Sequence, residues 1–274
     1  MSKLYVVGTP IGNLGDFSPR AVETLEKVDF IAAEDTRVTL KLLNHFGIKK
    51  SMVSYFEHNK RERGEMITAR ILSGETCALV TDAGMPAISD PGEDLVRLCH
   101  DKGITVESVP GPCAFTTALA LSGFPSGRFT FEGFLSVNKP SRREHLQSLE
   151  NETRTMLFYE APHKLAATLR DMNKHFGNRE IAIVREITKL HEEVIRTTLD
   201  EAVEKYADGS VKGEIVLVIK GAQSQNRDDK MTLEQAIACA RQSVESGMSV
   251  SEAAKQTAKL SGFKKGDIYK ALID

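Results

Sequence analysis

The sequence predicts an α/β protein of two domains followed by a small helical module, and three observations carry that reading. The 274 residues exceed a usual single domain, so two compact bodies are expected, each burying its own core. Over the first two hundred residues, short apolar β-rich runs alternate with amphipathic helical stretches, the pattern of mainly parallel sheets covered by helices. After a polar stretch, AQSQNRDDK at 222–230, the pattern turns wholly helical.

Taken in order, LYVVG, DFIAAE, CALVTD and ITVESVP read as strands. Ser18 can cap a helix with Pro19 in its first turn and Ala21, Val22, Leu25 and Val28 on one face, and residues 59–73 form another helix. A Gly/Pro/Ser-rich turn at 123–127 marks a change of character, which places the domain boundary near 117–125 and gives domains of 1–120 and 121–222. Beyond it RTMLFYE, EIAIVREIT, HEEVIRT and GEIVLVIKG read as strands, with helices around 142–150, 163–176 and 199–206. EIAIVREIT and HEEVIRT are joined too tightly for a helical crossover, so this second sheet should be mixed. The tail, 231–274, reads as LEQAIACARQSV, SVSEAAKQTAKL, a turn at Ser261-Gly262, and KKGDIYKALI. Ala254, Ala258, Ile268 and Leu272 can pack it as a helix-turn-helix-like module, and a tail that merely packs on the body or on a second copy fits the same pattern.

Composition narrows the class. Hydrophobic residues at 41% and charged residues at 27% describe a globular chain. The four-residue apolar run near the start is too short for a secretory signal and no stretch approaches a membrane span, so a cytoplasmic protein is expected. Cys77, Cys99, Cys113 and Cys239 show no CxxC spacing, and the seven His are scattered, so no metal site is expected. A net charge of −2, divided as +2 from Lys230 onward and −4 before it, will not attract nucleic acid as a whole, so RNA contacts must come from local basic patches. The densest are Lys60, Arg61 and Arg63, then Lys139, Arg142 and Arg143, with Lys264 and Lys265 in the tail.

Three loops carry the chemistry of the first domain. GTPIGNLG, from Gly8, follows the first strand; its spacing is not the dinucleotide fingerprint, and Pro10 removes an N–H that a phosphate would use, so the loop suits an organic ligand. TDAGMPAISDPG, from Thr81, is longer than a strand-to-helix turn requires; Asp82 can accept from an amino group or a ribose, Ala83, Gly84, Ile88 and Ser89 can line the ligand, and Asp90 can cap the next helix. PGPCA, from Pro110, ends the next strand on the same edge, so the three loops define one pocket. In the second domain YEAPHK offers Glu160, His163 and Lys164 at a strand end, REITKLHEE adds Arg185, and GEIV at 213–216 can supply backbone.

VGTPIGNLGD, AAEDTR, TDAGMPAISDPG, PGPCA, FEGFL, YEAPHK, REITKLHEE and GEIVLVI, in this order, resemble the 16S rRNA cytidine 2'-O-methyltransferases that act at the decoding centre, within the tetrapyrrole-methylase-like superfamily. The resemblance covers residues 3 to about 221, and the tail is similar to that family's C-terminal extension. Cys113 stands where Ser is common, Met85 where Thr is common, and Lys164 where Arg is common; Lys keeps the charge but loses the bidentate fork. The resemblance implies two α/β domains of the class III methyltransferase type with S-adenosylmethionine in the cleft between them, a homodimer, and 16S rRNA of the small ribosomal subunit as substrate. It implies cofactor contacts from Pro10, Asp82, Ala83, Gly84, Ile88, Ser89, Cys113, Ala114, Phe158, Tyr159, Ala161, Glu214, Ile215 and Val216. Methyl transfer to a ribose oxygen needs positioning and removal of one proton; His163 or Glu160 is the expected base, with Lys164 and Arg185 easing negative charge on the oxygen. A tetrapyrrole C-methylase and a non-catalytic ribosome-assembly factor are the competing readings.

Overall fold

The computed structural model describes residues 2–223 and 231–273, in two compact units, Met1–Ala222 and Gln223–Asp274. Most of the polar stretch expected at 222–230 therefore lies outside the described residues.

The first unit opens with a parallel sheet of β1 (Leu4–Val7), β2 (Phe30–Ala33), β3 (Ser51–Ser54), β4 (Cys77–Val80) and β5 (Val106–Val109), in the order β3-β2-β4-β1-β5. Its helices are α1 (Pro19–Lys27), α2 (Thr36–His45), α3 (Lys60–Leu72) and α4 (Gly92–Asp101). Period-two alternation along the strands decides which helix covers which face. Val7, Ile31, Ala33, Ala78 and Val80 meet Ala21 and Leu25 of α1 and Leu43 of α2, whereas Leu4, Phe30, Ala32, Cys77 and Leu79 meet Ile67 and Ile71 of α3 and Leu95 and Cys99 of α4. The chain leaves β1 toward one edge and β4 toward the other, so the loops after these adjacent strands part and open a crevice at their carboxyl ends. Ser18 caps α1 as expected, its side chain accepting from the Ala21 N–H at 3.1 Å.

The second sheet comprises β6 (Phe129–Phe134), β7 (Thr155–Glu160), β8 (Glu180–Arg185), β9 (Glu193–Thr198) and β10 (Ile215–Ile219), in the order β6-β7-β10-β8-β9. It is mixed, as the tight β8–β9 connection predicts: β6 and β7 are parallel and the other pairs antiparallel. One face carries α6 (Lys139–Ser148), α7 (Leu165–Phe176) and α8 (Leu199–Lys205) over Met156, Phe158, Ile181, Ile183 and Leu217. The other packs Leu157, Ala182, Val184, Val216 and Val218 on Ala118 and Leu119 of α5 (Ala114–Ser122) and on Phe124, so the segment 114–124 belongs to the second sheet's core.

The tail unit holds α9 (Leu233–Glu245), α10 (Val250–Ser261) and α11 (Lys265–Ile273). Thr232 and Gln235 form a reciprocal capping box on α9, Gly262 ends α10 at φ 77°, and Ala236, Ala240, Ala254 and Ile268 make a core of the unit's own. Among the described residues no helix is long and apolar enough to cross a membrane.

Candidate active site in the crevice of the first unit

The three loops read from the sequence are locked to one another by backbone. Gly8 N–H donates to the Val109 carbonyl at 3.0 Å, Thr9 and Gly84 exchange N–H···O bonds at 2.9 and 3.2 Å, and the Thr9 hydroxyl donates to the Thr81 carbonyl at 3.1 Å. Gly8 and Gly111 approach so closely that a Cβ on Gly8 would sit 2.7 Å from Gly111 Cα. Met85 Sδ accepts the Gly111 N–H at 3.3 Å, which ties the second loop to the third.

Between these loops and the ends of β7 and β10 lies a cavity of about 400 Å³, within the range of small-ligand sites. Its rim is built with backbone strain. Ala87 (φ 69°) and Ser89 (φ 63°) flank the turn that Asp90 holds by accepting from the N–H groups of Ala87, Ile88 and Gly92. Glu186 (φ 53°) and Thr188 (φ 67°) flank Ile187, which lines the cavity from the second sheet. Left-handed backbone is costly for residues with a Cβ, above all for β-branched Thr, and these four are the non-glycine instances among the described residues.

The lining is acidic. Glu34, Asp82, Asp90, Glu160 and Glu214 contribute to it, and no Lys, Arg or His among the described residues does. Burial, then the neighbouring Glu34, push the Asp82 carboxyl above its ordinary range. Glu34 Oε2 accepts from the Thr81 hydroxyl at 2.5 Å. Lys189 lies behind the wall, bridging Glu186 at 2.8 Å and Glu214 at 3.3 Å, and holds the Glu186 carboxyl below its ordinary range. Burial pushes the Tyr159 phenol up to about 12, so it remains neutral.

Of the expected cofactor contacts, Asp82, Ala83, Gly84, Ile88, Ser89, Cys113, Ala114, Tyr159, Ala161, Glu214, Ile215 and Val216 line this cavity. Pro10 does not; its neighbour Ile11 does. Phe158 points the other way, fully buried under α6 and α7, because strand alternation puts it on the opposite face from Tyr159.

The expected catalytic group separates. Glu160 reaches the cavity wall but is 5% exposed, with Oε1 accepting from Ala161 N–H at 2.8 Å and Oε2 from the Thr168 hydroxyl. His163 is exposed beside the lining residue Pro162 and has no hydrogen-bond partner among the described residues; Lys164, next to it, has no ionic partner among them. Arg185 stands outside the lining, bonded to Glu193 and to the Lys212 carbonyl. Two of the expected RNA-binding residues are likewise engaged within the fold. Lys60 bridges Glu57 and Asp94, both at 2.8 Å, and Arg142, with a side chain 13% exposed, bonds Asp171 and Thr168. Arg61, Lys139 and Arg143 are exposed and Arg63 half-buried. Glu34 and Phe134 line the cavity without having been expected there; their signal was AAEDTR and FEGFL, each directly at a strand end.

The family described as Tetrapyrrole (Corrin/Porphyrin) Methylases matches residues 3–203, which makes this a methyltransferase of that class. A crystal structure of uroporphyrin-III C-methyltransferase from Thermus thermophilus, complexed with S-adenosylhomocysteine, has the same fold with a TM-score of 0.54 at 17% identity, covering 80% of this chain and 97% of that one. The ribosomal RNA small subunit methyltransferase I of Synechocystis sp. is 44% identical over 275 residues, 100% of this chain and 98% of the relative. That of Thermotoga maritima is 48% identical over 223 residues, 81% of this chain and 100% of the relative. The chain belongs to the ribosomal RNA small subunit methyltransferase I family. The cavity suits the S-adenosylmethionine that the family resemblance implies: a sulfonium and an ammonium find carboxylates, no basic side chain among the described residues lines it for a phosphate, and Ile88, Ile187 and Val216 offer apolar surface to an adenine.

Proposed function

We propose that this chain methylates the 2'-oxygen of a cytidine ribose in the decoding region of small-subunit rRNA, in the cytoplasm and as a homodimer. The observation that carries the reading is the exposed, unengaged imidazole of His163, the residue next to Pro162 in the lining of an acid-lined cavity. The cofactor supplies a methyl already activated by its sulfonium, so a hydroxyl acceptor needs only positioning and a base. His163 takes the 2'-hydroxyl proton, and Lys164 lowers the cost of charge on the oxygen as it departs. Glu160, with both oxygens held, fixes the turn that presents His163. Arg61, Arg63, Lys139 and Arg143 supply the phosphate contacts. The relatives' names support the substrate class.

The test is transfer of labelled methyl to small subunits lacking the modification, with naked rRNA and a porphyrinoid in parallel. Label on a cytidine 2'-oxygen is expected; label on the porphyrinoid alone would refute the substrate. In single-turnover transfer His163→Ala should slow chemistry by roughly 10²–10⁴ with cofactor affinity intact. Slowing by Glu160→Gln alone would move the proton to Glu160.

A further inference from the structure

Phe134 is the last residue of β6 and its side chain lines the cavity while 58% exposed to solvent. An aromatic ring left open at the mouth of a site needs a physical reason, because covering it would contribute to stability. The strand shows that its direction is built. Phe131 pairs with Leu157 and stacks on Phe115 with ring centroids 4.4 Å apart, which fixes it on the α5 face of the sheet. Glu132 points to the other face, where it meets His145 of α6 at 2.9 Å. Regular alternation would send Phe134 after Glu132, under α6.

It does not go there, because β6 carries an irregularity between Phe131 and Gly133: Gly133 pairs with Phe158 and Phe134 with Tyr159, so three steps on β6 match two on β7. Gly133 adopts φ 62°, which a residue with a Cβ tolerates poorly, and its Cβ position would lie 3.5 Å from the Ser89 hydroxyl of the cavity loop. Bulges of this kind re-aim a side chain beside a site, and they are rare between parallel strands. The extra residue turns Phe134 onto the cavity face, with its ring centroid 5.4 Å from that of Tyr159. Ile88, 39% exposed, adds a second open apolar surface to the same lining.

We infer that Phe134 is the stacking platform for the base of the nucleotide being methylated. The inference rests on an RNA ribose as the substrate. A ribose inside a folded RNA reaches a recessed methyl donor only if its nucleotide leaves the helical stack, and the lost stacking is recovered on an aromatic face at the site. Since every base has a π-face, this contact sets affinity and orientation, and the choice of base falls to polar neighbours.

The experiment compares wild type, Phe134→Ala and Phe134→Trp in the full chain, measuring thermal stability, S-adenosylmethionine affinity and kcat/KM for methylation of unmodified small subunits. Phe134→Ala is expected to lower kcat/KM roughly 5- to 150-fold, well beyond any loss of cofactor affinity or of stability, and Phe134→Trp to restore it to within a few-fold. Equal transfer by wild type and Phe134→Ala would overturn the platform, as would a loss of cofactor affinity that accounts for the whole defect. A wild type that places no label on a ribose would instead overturn the substrate reading, and the platform with it.

Discussion

Thr168 sits at the centre of a short chain of hydrogen bonds whose direction is fixed. Arg142 Nη2 donates to Thr168 Oγ1 at 2.9 Å, so the single hydroxyl proton is left to donate to Glu160. Thr168 is 0% and Glu160 5% exposed, so water cannot easily replace either bond. Thr168→Val keeps the shape and removes both. Each bond involves an ionised group and is worth about 1.5–3 kcal/mol, while a buried methyl in place of the hydroxyl returns about 1 kcal/mol. Arg142 retains Asp171 at 2.7 Å, which limits the loss on its side. The net cost is about 3 kcal/mol, or a fall of roughly 6–12 °C in the melting temperature of a unit of this size. Scanning calorimetry on the full chain, following the transition of the larger unit, reads it, with Thr168→Ser as the control that keeps the hydroxyl. A Thr168→Val protein melting with the wild type would refute the reasoning, and so would an equal fall in Thr168→Ser, which would assign the effect to methyl packing.

Gly111→Ala places a Cβ 2.9 Å from the Gly8 backbone, which has no room to yield, so the first and third loops must part; cofactor affinity measured by calorimetry should fall at least about tenfold. Glu152 is held down to about 2 by hydrogen bonds from the Arg154 side chain and backbone. A depressed carboxylate stabilises the fold above its unfolded value and loses that contribution as pH falls through its folded value. Urea midpoints of Glu152→Gln should therefore lie below wild type at neutral pH, with the gap closing between the ordinary glutamate range near 4.5 and about 2. A gap that persisted to the lower end would mean that the pair is not its source.

Periodicity made the central strands legible, because CALV, TMLFYE and IVLVI are nearly continuous apolar runs that only burial on both faces explains. It missed β3, an edge strand with Met52 and Val53 between two serines, and α2, whose first turn carries β-branched Thr36 and Val38 and whose start is set by the Asp35 side chain accepting from Arg37 N–H. The cavity loops stood out by their glycines and prolines, and most of the contacts implied by the family resemblance do line the cavity. Direction was what the linear chain hid. Phe158 and Tyr159 are neighbours on opposite faces, Arg142 looked like a free cation beside Arg143, and one extra residue in β6 decides where Phe134 points. Each of these depends on register or on a partner far away in sequence.

The left-handed residues at the cavity rim place foldability and catalysis in opposition. Ala87, Ser89, Glu186 and Thr188 each hold a conformation costing of order 1–3 kcal/mol, in which glycine or asparagine would rest with far less penalty. A population of variants selected for heat resistance alone should drift toward those two residues at 87, 89, 186 and 188, gaining melting temperature while the rim loses its fixed shape. The heat tolerance of this enzyme is then limited less by its well-filled cores than by four strained backbone positions beside one cavity.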